Sequence, residues 1–520
     1  MIEFAFVCTC VIIFRGFWNL RILNNNISWL NDSSNKITPE YENPFVYVII
    51  PILREQSVIS ETIKHFLSID YPKKKIQIVL VTTEKENIDK QQNRTKIRTL
   101  ATDIYNGLSI EKVQNKYLGL FPSVAFEKIK SSFYGKFEDK QELISELEIF
   151  YDSYPTTMDV VKELQFEVNT PNPGFIKIIH YPNNNKIVTD QINFASKLIS
   201  QSTNSSTDLI AIYNADSRPN IDTFVSVSDA RDEYNKIYNK EPNIIQQSSL
   251  FTLNYSKLPN TISGYILKAG CINQSIWTLA NEIFLLRNQS YLVNKRSSNL
   301  IELFKNTEPA YCIAHGMFAN LQYFNSRGGF PTETLNEDLP FGFFTCARGD
   351  SILPIKKLEN SESPETIKSL INQKKVWFNP YLEFLKCRKN ALIKKQYRNI
   401  NELNILTLKS LNVGSIWLFQ TILFTFPLIY LAFKFDTYLA LLWLLAITTF
   451  WYLPAFIVYF AKYLNQNNIY YKPNWKDFIL MILAGHFNVI FNSIGPILCI
   501  IEFTKSKLFG ISITKQKTER

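Results

Sequence analysis

The longest apolar stretches of the chain lie in its C-terminal quarter. Three of them contain no Asp, Glu, Lys or Arg, and they run over Leu411–Phe433, Thr437–Ala461 and Phe478–Ile501. Each reaches the roughly 20 residues that a helix needs to cross about 30 Å of hydrocarbon. Buried helices of a soluble bundle are seldom so long, so the pattern predicts a C-terminal transmembrane region over residues 411–503.

The third stretch is less uniform than the other two. It carries His486, Asn488, Asn492 and the pair Gly495-Pro496. Such a helix is kinked, re-entrant or packed inside a bundle where neighbouring helices satisfy its polar groups, and the sequence leaves these alternatives open.

The N-terminus is also apolar. Phe4–Phe14 is uncharged, Arg15 interrupts the run, and Phe17 and Trp18 continue it. This suits a short span, a signal anchor or an interfacial helix. We predict a retained membrane anchor over residues 1–24.

A different pattern begins after residue 43. Phe45–Ile50 and Ile76–Val81 are apolar and β-branched, and the segment between them has helical spacing from Val58 to Leu67. Asp208–Tyr213 predicts a later strand. Strand, helix and strand form a βαβ unit, so we expect an α/β domain over 44–390, with ligands at the strand ends.

Residues 85–172 interrupt this pattern with a charged, helix-compatible insertion. Its Glu/Lys-rich stretch, Phe137 to Glu148, is read most simply as a solvated helix face; contact with a partner is the alternative.

The net charge of +10 is concentrated partly before the first C-terminal span, in and beside a basic linker over 391–410. Basic residues beside a span favour the cytoplasmic side and anionic headgroups, so we predict an integral membrane protein, of the plasma membrane if bacterial, with a cytoplasmic polar domain. Nucleic acid explains this charge less well. The basic tail over 504–520 would then lie outside after three spans, so one stretch does not cross or the tail is an exception.

Seven cysteines show neither metal spacing nor a disulfide framework.

Candidate chemistry begins at Asn214-Ala215-Asp216, just past a predicted strand. A carboxylate there can hold Mg²⁺ or Mn²⁺, which in turn binds a diphosphate. Asp in a turn is also commonly a local hydrogen-bond acceptor.

A second candidate is Asn336-Glu337-Asp338, which follows Gly328-Gly329. Adjacent carboxylates can supply a base that deprotonates an acceptor hydroxyl. A helix N-cap with acids in its first turn is the alternative.

The third candidate is Gln373 to Trp377. Trp offers an apolar face to a sugar ring, and Gln offers both a donor and an acceptor to hydroxyls or phosphate. An interfacial Trp is the alternative.

In this order, the motifs resemble those of the membrane family-2 glycosyltransferases, which include cellulose, chitin and hyaluronan synthases. The resemblance covers most of 44–390 and the spans, and rests on Val46–Glu55, Tyr213–Pro219, Gly328–Asp338 and Gln373–Trp377. It implies a GT-A domain that takes a nucleotide-sugar, normally a UDP-sugar, with Mn²⁺ or Mg²⁺. The insertion lies outside it.

The resemblance also implies roles for single residues. Pro51, Glu55 and Glu84 would line the nucleotide pocket with Asn214, and Asp216 would bind the metal. Asp338 would be the general base and Glu337 its support. Gln373 and Trp377 would hold the diphosphate and the acceptor, and His315-Gly316 would lie below the acceptor sugar, although a lone His is also read as a satisfied buried imidazole. Cys271–Arg287 would be an interfacial helix or a plain core helix.

Three departures from that family concern diphosphate handling. Asn214 replaces its first metal-site Asp, and Val376 replaces the Arg before the Trp, leaving Lys374 or Lys375 as a point charge. Lys186 stands seven residues before Asn193, a looser spacing than usual.

The sequence therefore predicts a hexosyltransferase that moves a sugar to a growing polysaccharide or glycolipid at the cytoplasmic face, by metal-assisted inverting displacement. One alternative is a non-processive transferase with a lipid or polyprenyl phosphate acceptor. Another is a non-catalytic membrane subunit that binds nucleotide or glycan. A transporter is the least favoured reading because so large a polar domain precedes so few spans. The donor sugar, the acceptor and the oligomeric state stay open.

Overall fold

A computed structural model describes residues 2–32, 43–117, 119–121, 123–183, 188–203, 206–295, 297, 299–434, 437–464 and 475–510. The chain divides into two compact units. We call Asn43–Ile221 with Ala319–Phe330 the sheet unit. The helical unit comprises Met1–Glu42, Asp222–Phe318 and Pro331–Glu519.

Four parallel strands organise the sheet unit. They are β1 (Val46–Pro51), β2 (Ile76–Thr83), β3 (Ile176–Tyr181) and β4 (Leu209–Ile212), in the spatial order β3-β2-β1-β4. The three predicted strands are confirmed within one or two residues, and β3 was not predicted. Helices alternate with these parallel strands along the chain, as expected for an α/β fold.

The strands of this sheet are apolar on both faces. Val48, Ile49 and Ile50 of β1 are fully buried, as is Leu80 of β2. Parallel strands need such runs because crossover helices cover the sheet. Here α2 (Ile59–Leu67) confirms the predicted first crossover, and α9 (Val188–Ser202) packs on β1 and β2.

The region predicted to be a helical insertion forms six helices, and the middle four share an apolar core of their own. They are α3 (Lys85–Asn93), α4 (Thr95–Tyr105), α5 (Ile110–Lys116), α6 (Ser123–Phe133), α7 (Lys140–Ser153) and α8 (Thr157–Asn169). Helix α7 turns Leu143, Leu147 and Tyr151 inward and leaves its Glu and Lys side chains at the surface, as a solvated helix face requires.

The helical unit contains two short parallel strand pairs. β5 (Ile244–Gln246) pairs with β8 (Ile352–Pro354), and β6 (Ser249–Leu250) pairs with β9 (Glu359–Asn360). Strand β7 (Met317–Asn320) crosses the boundary between the two units in sequence, and α14 (Leu321–Ser326) belongs to the sheet unit.

Helices make up the rest of the helical unit. They are α1 (Ile2–Asn31), α10 (Thr223–Tyr238), α11 (Ile262–Trp277), α12 (Ile283–Leu292), α13 (Leu300–Asn306), α15 (Asp338–Arg348), α16 (Ile367–Ile393), α17 (Ile400–Lys434), α18 (Thr437–Ile447), α19 (Leu453–Val458) and α20 (Trp475–Phe509). The segment predicted as an interfacial or core helix, Cys271–Arg287, spans α11, a π-helical turn at Thr278–Glu282 and α12.

Among the residues that the structure describes, two helical stretches are long and apolar enough to cross a membrane. They are Trp443–Tyr463 and Phe478–Phe509, which overlap the second and third predicted spans. The first predicted span lies on α17, but most of its side chains beyond Ile422 are outside the described residues. The basic tail is outside them from residue 511 onward.

The polar residues of the third predicted span are packed inside the helical unit. Asn488 is fully buried and its amide donates to the Ile266 carbonyl at 3.3 Å, while His486 hydrogen-bonds Thr448 at 2.9 Å. Helix α20 continues through Pro496. Of the three alternatives left by the sequence, the structure therefore favours packing against neighbouring helices.

A substitution at Gly342 tests the packing of α15. A Cβ there would meet the Cys312 backbone nitrogen at 2.6 Å and the Ala310 carbonyl oxygen at 3.0 Å. Backbone cannot move aside cheaply, so we expect Gly342→Ala to cost about 1–3 kcal/mol and to lower the thermal midpoint in detergent. Gly485→Ala is the matched control because its nearest contact is 3.4 Å, and Ala in a helix otherwise stabilises by about 1 kcal/mol. Equal midpoints for the two variants would contradict the packing described.

Candidate functional site

The carboxyl ends of the parallel strands bring several predicted nucleotide-binding residues to one edge of the sheet unit. Pro51 ends β1, Glu84 follows β2, and Asn214 and Asp216 follow β4. Because β2 and β4 flank β1 on opposite sides, the strand order reverses direction at β1. Ligands of open α/β sheets bind at such a switch point.

The turn that carries Asp216 is held by local hydrogen bonds. The Ser217 hydroxyl accepts from the Asn214 backbone nitrogen at 3.1 Å, and the Ser217 nitrogen donates to the Asn214 carbonyl at 3.1 Å. The Thr62 hydroxyl of α2 donates to the Ala215 carbonyl, and Arg218 donates to Thr62 at 2.6 Å. The half-buried Asp216 carboxylate is therefore carried on a fixed turn.

This donor set suits a divalent ion only in a limited way. Asp216 contributes a carboxylate and Asn214 an exposed amide oxygen. Within the described residues, no group of three or more His, Cys, Asp and Glu side chains is placed to hold a metal. A cation that takes its other ligands from a diphosphate and water still fits one carboxylate and one amide.

Glu84 belongs to a polar cluster beyond β2. Its Oε2 lies 3.0 Å from His180 Nε2 and accepts from the Asn87 amide at 3.2 Å. His180 Nδ1 lies 3.0 Å from the Thr82 hydroxyl. A carboxylate in this position can accept a hydrogen bond from a ring N–H of a nucleobase. His180 carried no sequence signal because it lies on β3, which was not predicted.

Asp338 is the first residue of α15. Its Oδ1 accepts from the Leu339 nitrogen at 2.8 Å, and its Oδ2 accepts from the Ala314 nitrogen at 3.3 Å. The second bond joins the predicted base directly to the Ala314-His315-Gly316 segment. Glu337 occupies the N-cap position of α15, as the N-cap alternative requires. Its side chain makes no capping hydrogen bond to the first turn.

Asn336 links the same segment to the Gln373–Trp377 motif. Its amide donates to the Val376 carbonyl at 2.9 Å, and its Oδ1 is buried without a hydrogen-bond partner. The preceding Leu335 nitrogen donates to the buried Glu383 carboxylate of α16 at 3.1 Å. Three motifs that are far apart in the sequence are thus connected within the helical unit.

His315 is engaged at both ring nitrogens. Nε2 lies 2.5 Å from the Ser249 hydroxyl, and Nδ1 lies 3.0 Å from Oε2 of Glu359, which is almost fully buried. These two neighbours are compatible with the alternative of a buried imidazole, and contact with the acceptor stays a prediction. Gly316 has a φ of +67°, and a Cβ there would meet the Gln247 Cβ at 2.9 Å.

Gln373 and Trp377 lie one turn apart on α16. Gln373 lines a narrow cleft with room for about one water, whose other walls include Phe251 and Gln274. The Trp377 ring lies 5.7 Å from the ring of Phe251, centroid to centroid. Both side chains therefore point to the same side of α16, as a shared acceptor site requires.

The two lysines beside Val376 both contact neighbouring helices. Lys374 is buried; its ammonium donates to Gln274 Oε1 at 2.5 Å and lies 4.4 Å from the Trp377 ring centre. Lys375 pairs with Glu502 of α20 at 2.8 Å. Both charges are directed to neighbouring helices, so Val376 stands without a cationic substitute at its own position.

Glu282 is a buried carboxylic acid that the sequence did not single out. It ends the π-helical turn of 278–282, and burial raises its pKa to about 7, with the Ser248 hydroxyl beside it. π-Helical turns frequently occur at functional sites. The apolar spacing of the segment continues through the turn, so no pattern in the sequence marks it.

Comparison with known proteins leaves the family open. No protein-family model matches the chain, and no curated protein matches it. Similar solved structures include a mannosyltransferase of Pyrobaculum calidifontis, PcManGT, in complex with GDP-Man and Mn²⁺, at 11% identity and a TM-score of 0.40, covering 95% of this chain and 99% of that one. S. aureus TarS 1–349 in complex with UDP-GlcNAc has 11% identity and a TM-score of 0.34, and the match covers 89% of this chain and 92% of that one. Likenesses this loose assign neither a family nor an activity.

The burial of Lys374 predicts a pH-dependent stability. Burial lowers its pKa to about 7, whereas an unfolded lysine titrates near 10.4. Between about pH 7 and 8.5 the unfolded chain holds a proton that the folded chain lacks, so stability rises with pH by at most about 1.4 kcal/mol per pH unit. We expect Lys374→Met to flatten this rise in thermal midpoints measured in detergent.

The interval from about pH 7 to 8.5 separates Lys374 from two other buried groups. Glu282, with its raised pKa, makes stability depend on pH below about pH 7, and Cys271, whose pKa burial raises to about 11, does so above about pH 8.5. Lys375→Met is the control and should keep the wild-type slope. A Lys374→Met slope equal to the wild-type slope would show that the amine is not desolvated.

Proposed function

We propose that this chain is a membrane glycosyltransferase of the family-2 type, with a GT-A nucleotide-binding fold in its sheet unit. It transfers a sugar from a nucleotide-sugar, a UDP-sugar by the resemblance, to a glycan or lipid acceptor at the cytoplasmic face of a bilayer. Residues 1–24 anchor it, and residues 411–503 form its transmembrane region.

The observation that supports this proposal best is the connection of three motifs in the helical unit. Asp338 is hydrogen-bonded to the segment that holds His315. Asn336, two residues before Asp338, is hydrogen-bonded to Val376 in the helical turn between Gln373 and Trp377. A base, an aromatic platform and an amide on connected elements suit the binding and deprotonation of a sugar hydroxyl.

In the mechanism we propose, Asp338 accepts the proton of the acceptor hydroxyl as its oxygen bonds to the anomeric carbon. The bond from that carbon to the nucleoside diphosphate breaks in the same step, and the configuration inverts. Asp216 and Asn214 would hold Mn²⁺ or Mg²⁺, which when bound stabilises the departing diphosphate. Glu337 supports the base, and Trp377 and Gln373 orient the acceptor.

A second candidate is a non-catalytic membrane subunit that binds a nucleotide or glycan. Asn214 and Val376 favour it, because both remove a group that handles diphosphate, and because Lys374 and Lys375 are engaged elsewhere. Nucleotide binding without turnover is its signature. A non-processive transferase that uses a polyprenyl phosphate is distinguished by product length.

Replacement of the proposed base tests the main proposal. We expect purified protein in nanodiscs to release nucleoside diphosphate from one member of a UDP- and GDP-sugar panel with Mn²⁺ or Mg²⁺. Asp338→Asn should lower that rate at least 100-fold, in the range of general-base contributions. Asp222→Asn is the control, because Asp222 pairs with Lys357 at the surface of the same unit. An active Asp338→Asn enzyme rules out this base, and binding without turnover by the wild type favours the subunit.

Restoration of the missing carboxylate tests the metal site. Asn214→Asp adds a charged ligand, so we expect it to bind Mn²⁺ several-fold more tightly in the presence of UDP or GDP, as measured by electron paramagnetic resonance. Asn220→Asp adds the same charge to the same segment beyond the motif and should change the affinity less. Equal affinities for both variants would place the cation elsewhere.

A further inference from the structure

The loop that follows β1 contains a strained residue. Arg54 has a φ of +58°, in the left-handed region that side chains with a Cβ disfavour. Such a conformation persists only where surrounding contacts hold it, and it is often associated with a functional site. The next residue, Glu55, is one that the proposed function places in the nucleotide pocket.

The contacts that hold this loop come from the helical insertion. The Glu55 backbone nitrogen donates to Oγ1 of Thr157, the first residue of α8, at 3.2 Å. Thr157 is fully buried. On the other side of the loop, the Arg54 guanidinium forms an ion pair with Asp89 of α3.

A carboxylate from the start of the insertion completes the arrangement. Glu86 Oε1 accepts from the Thr157 nitrogen at 2.9 Å and from the Gln56 amide at 2.8 Å. The same Gln56 amide also lies 3.3 Å from the Pro155 carbonyl. Both ends of the insertion, α3 and α8, therefore meet at the β1 loop.

The start of α8 is itself fixed. Thr156 and Asp159 form a reciprocal capping box, in which the Thr156 nitrogen donates to Asp159 at 2.8 Å and the Asp159 nitrogen donates to Thr156 at 3.3 Å. A capped helix end gives Thr157 a defined position. The acceptor for the Glu55 nitrogen is therefore preorganised rather than supplied by a mobile surface loop.

We propose that the helical insertion is a positioning element of the nucleotide site, with Thr157 holding Glu55 and the strained Arg54 in the conformation that receives the nucleotide. This rests on the proposed function. A loop that is ordered before binding loses no conformational entropy when the nucleotide binds. Removal of the hydrogen bond therefore weakens the nucleotide affinity.

Three variants of the full chain in nanodiscs test the proposal. Thr157→Val keeps the shape and removes the acceptor, whereas Thr157→Ser keeps the hydroxyl. Thr170→Val makes the same change at the exposed far end of α8, where the hydroxyl donates to the Phe166 carbonyl. The dissociation constants of UDP and GDP are measured by calorimetry. Hydrogen exchange is followed in peptides that cover residues 52–56.

We expect Thr157→Val to weaken the nucleotide that binds by about three- to tenfold, the effect of one hydrogen bond, and to speed exchange in the loop. Thr157→Ser and Thr170→Val should stay within about twofold of the wild type. A Thr157→Val affinity equal to that of Thr170→Val overturns the proposal, whatever the exchange shows. If Thr157→Val does not fold, Asp89→Asn takes its place. It removes the ion pair that holds Arg54 and should also weaken the nucleotide affinity.

The failure of the proposed function is distinguishable from this result. A wild-type protein that binds neither UDP nor GDP removes the nucleotide site itself, and with it the role of the loop. A wild-type protein that binds one of them while Thr157→Val binds it equally well keeps the site and removes only the positioning role.

Discussion

The parallel pairing of β1 with β2 on one side and β4 on the other is the constraint on which the sheet unit depends. Parallel strands end at the same edge of a sheet, so the register Val46↔Ile76 and Val46↔Leu209 sends Pro51, Glu84 and the Asp216 turn to that edge together. The chain needs a crossover between each pair of strands, and it uses the longest one, between β2 and β3, to carry six additional helices. The start of α8 lies at the same edge because this last helix of the insertion packs on β2 and β3 and ends beside Ile176, where β3 begins.

In the helical unit, buried polar groups fix the position of the candidate site residues. Gln246 and Gln247 are fully buried, and their amides and backbone hold the segment from Ile313 to Gly316. Such groups are costly to bury unless each finds its partner, so a network of this kind is satisfied in one arrangement and penalised in others. The position of Asp338 follows from that network, because Ala314 is one of its hydrogen-bond donors.

Charge is the quantity in which this chain departs most from the enzymes that its motifs resemble. In the proposed function, the negative charge absent at Asn214 and the positive charge absent at Val376 would both weaken the binding of the diphosphate, the first through the metal and the second directly. Lys374 cannot offset the second loss from its present position, because its ammonium is enclosed by Gln274 and two Trp rings. If turnover occurs, binding energy from the nucleoside and the acceptor has to supply more of the positioning.

The sequence by itself determined the strands β1, β2 and β4, the crossover α2 and the apolar C-terminal helices, because each rests on a local run or period of apolar residues. It also singled out Asp216, Asp338 and Trp377 through short motifs, although their roles remain proposals. The tertiary structure alone decided that His315 is paired with Ser249 and Glu359, that Lys374 is buried, and that Thr157 reaches Glu55 across 102 positions. These facts depend on which distant side chains meet, and a local pattern carries no information about contacts between segments that far apart.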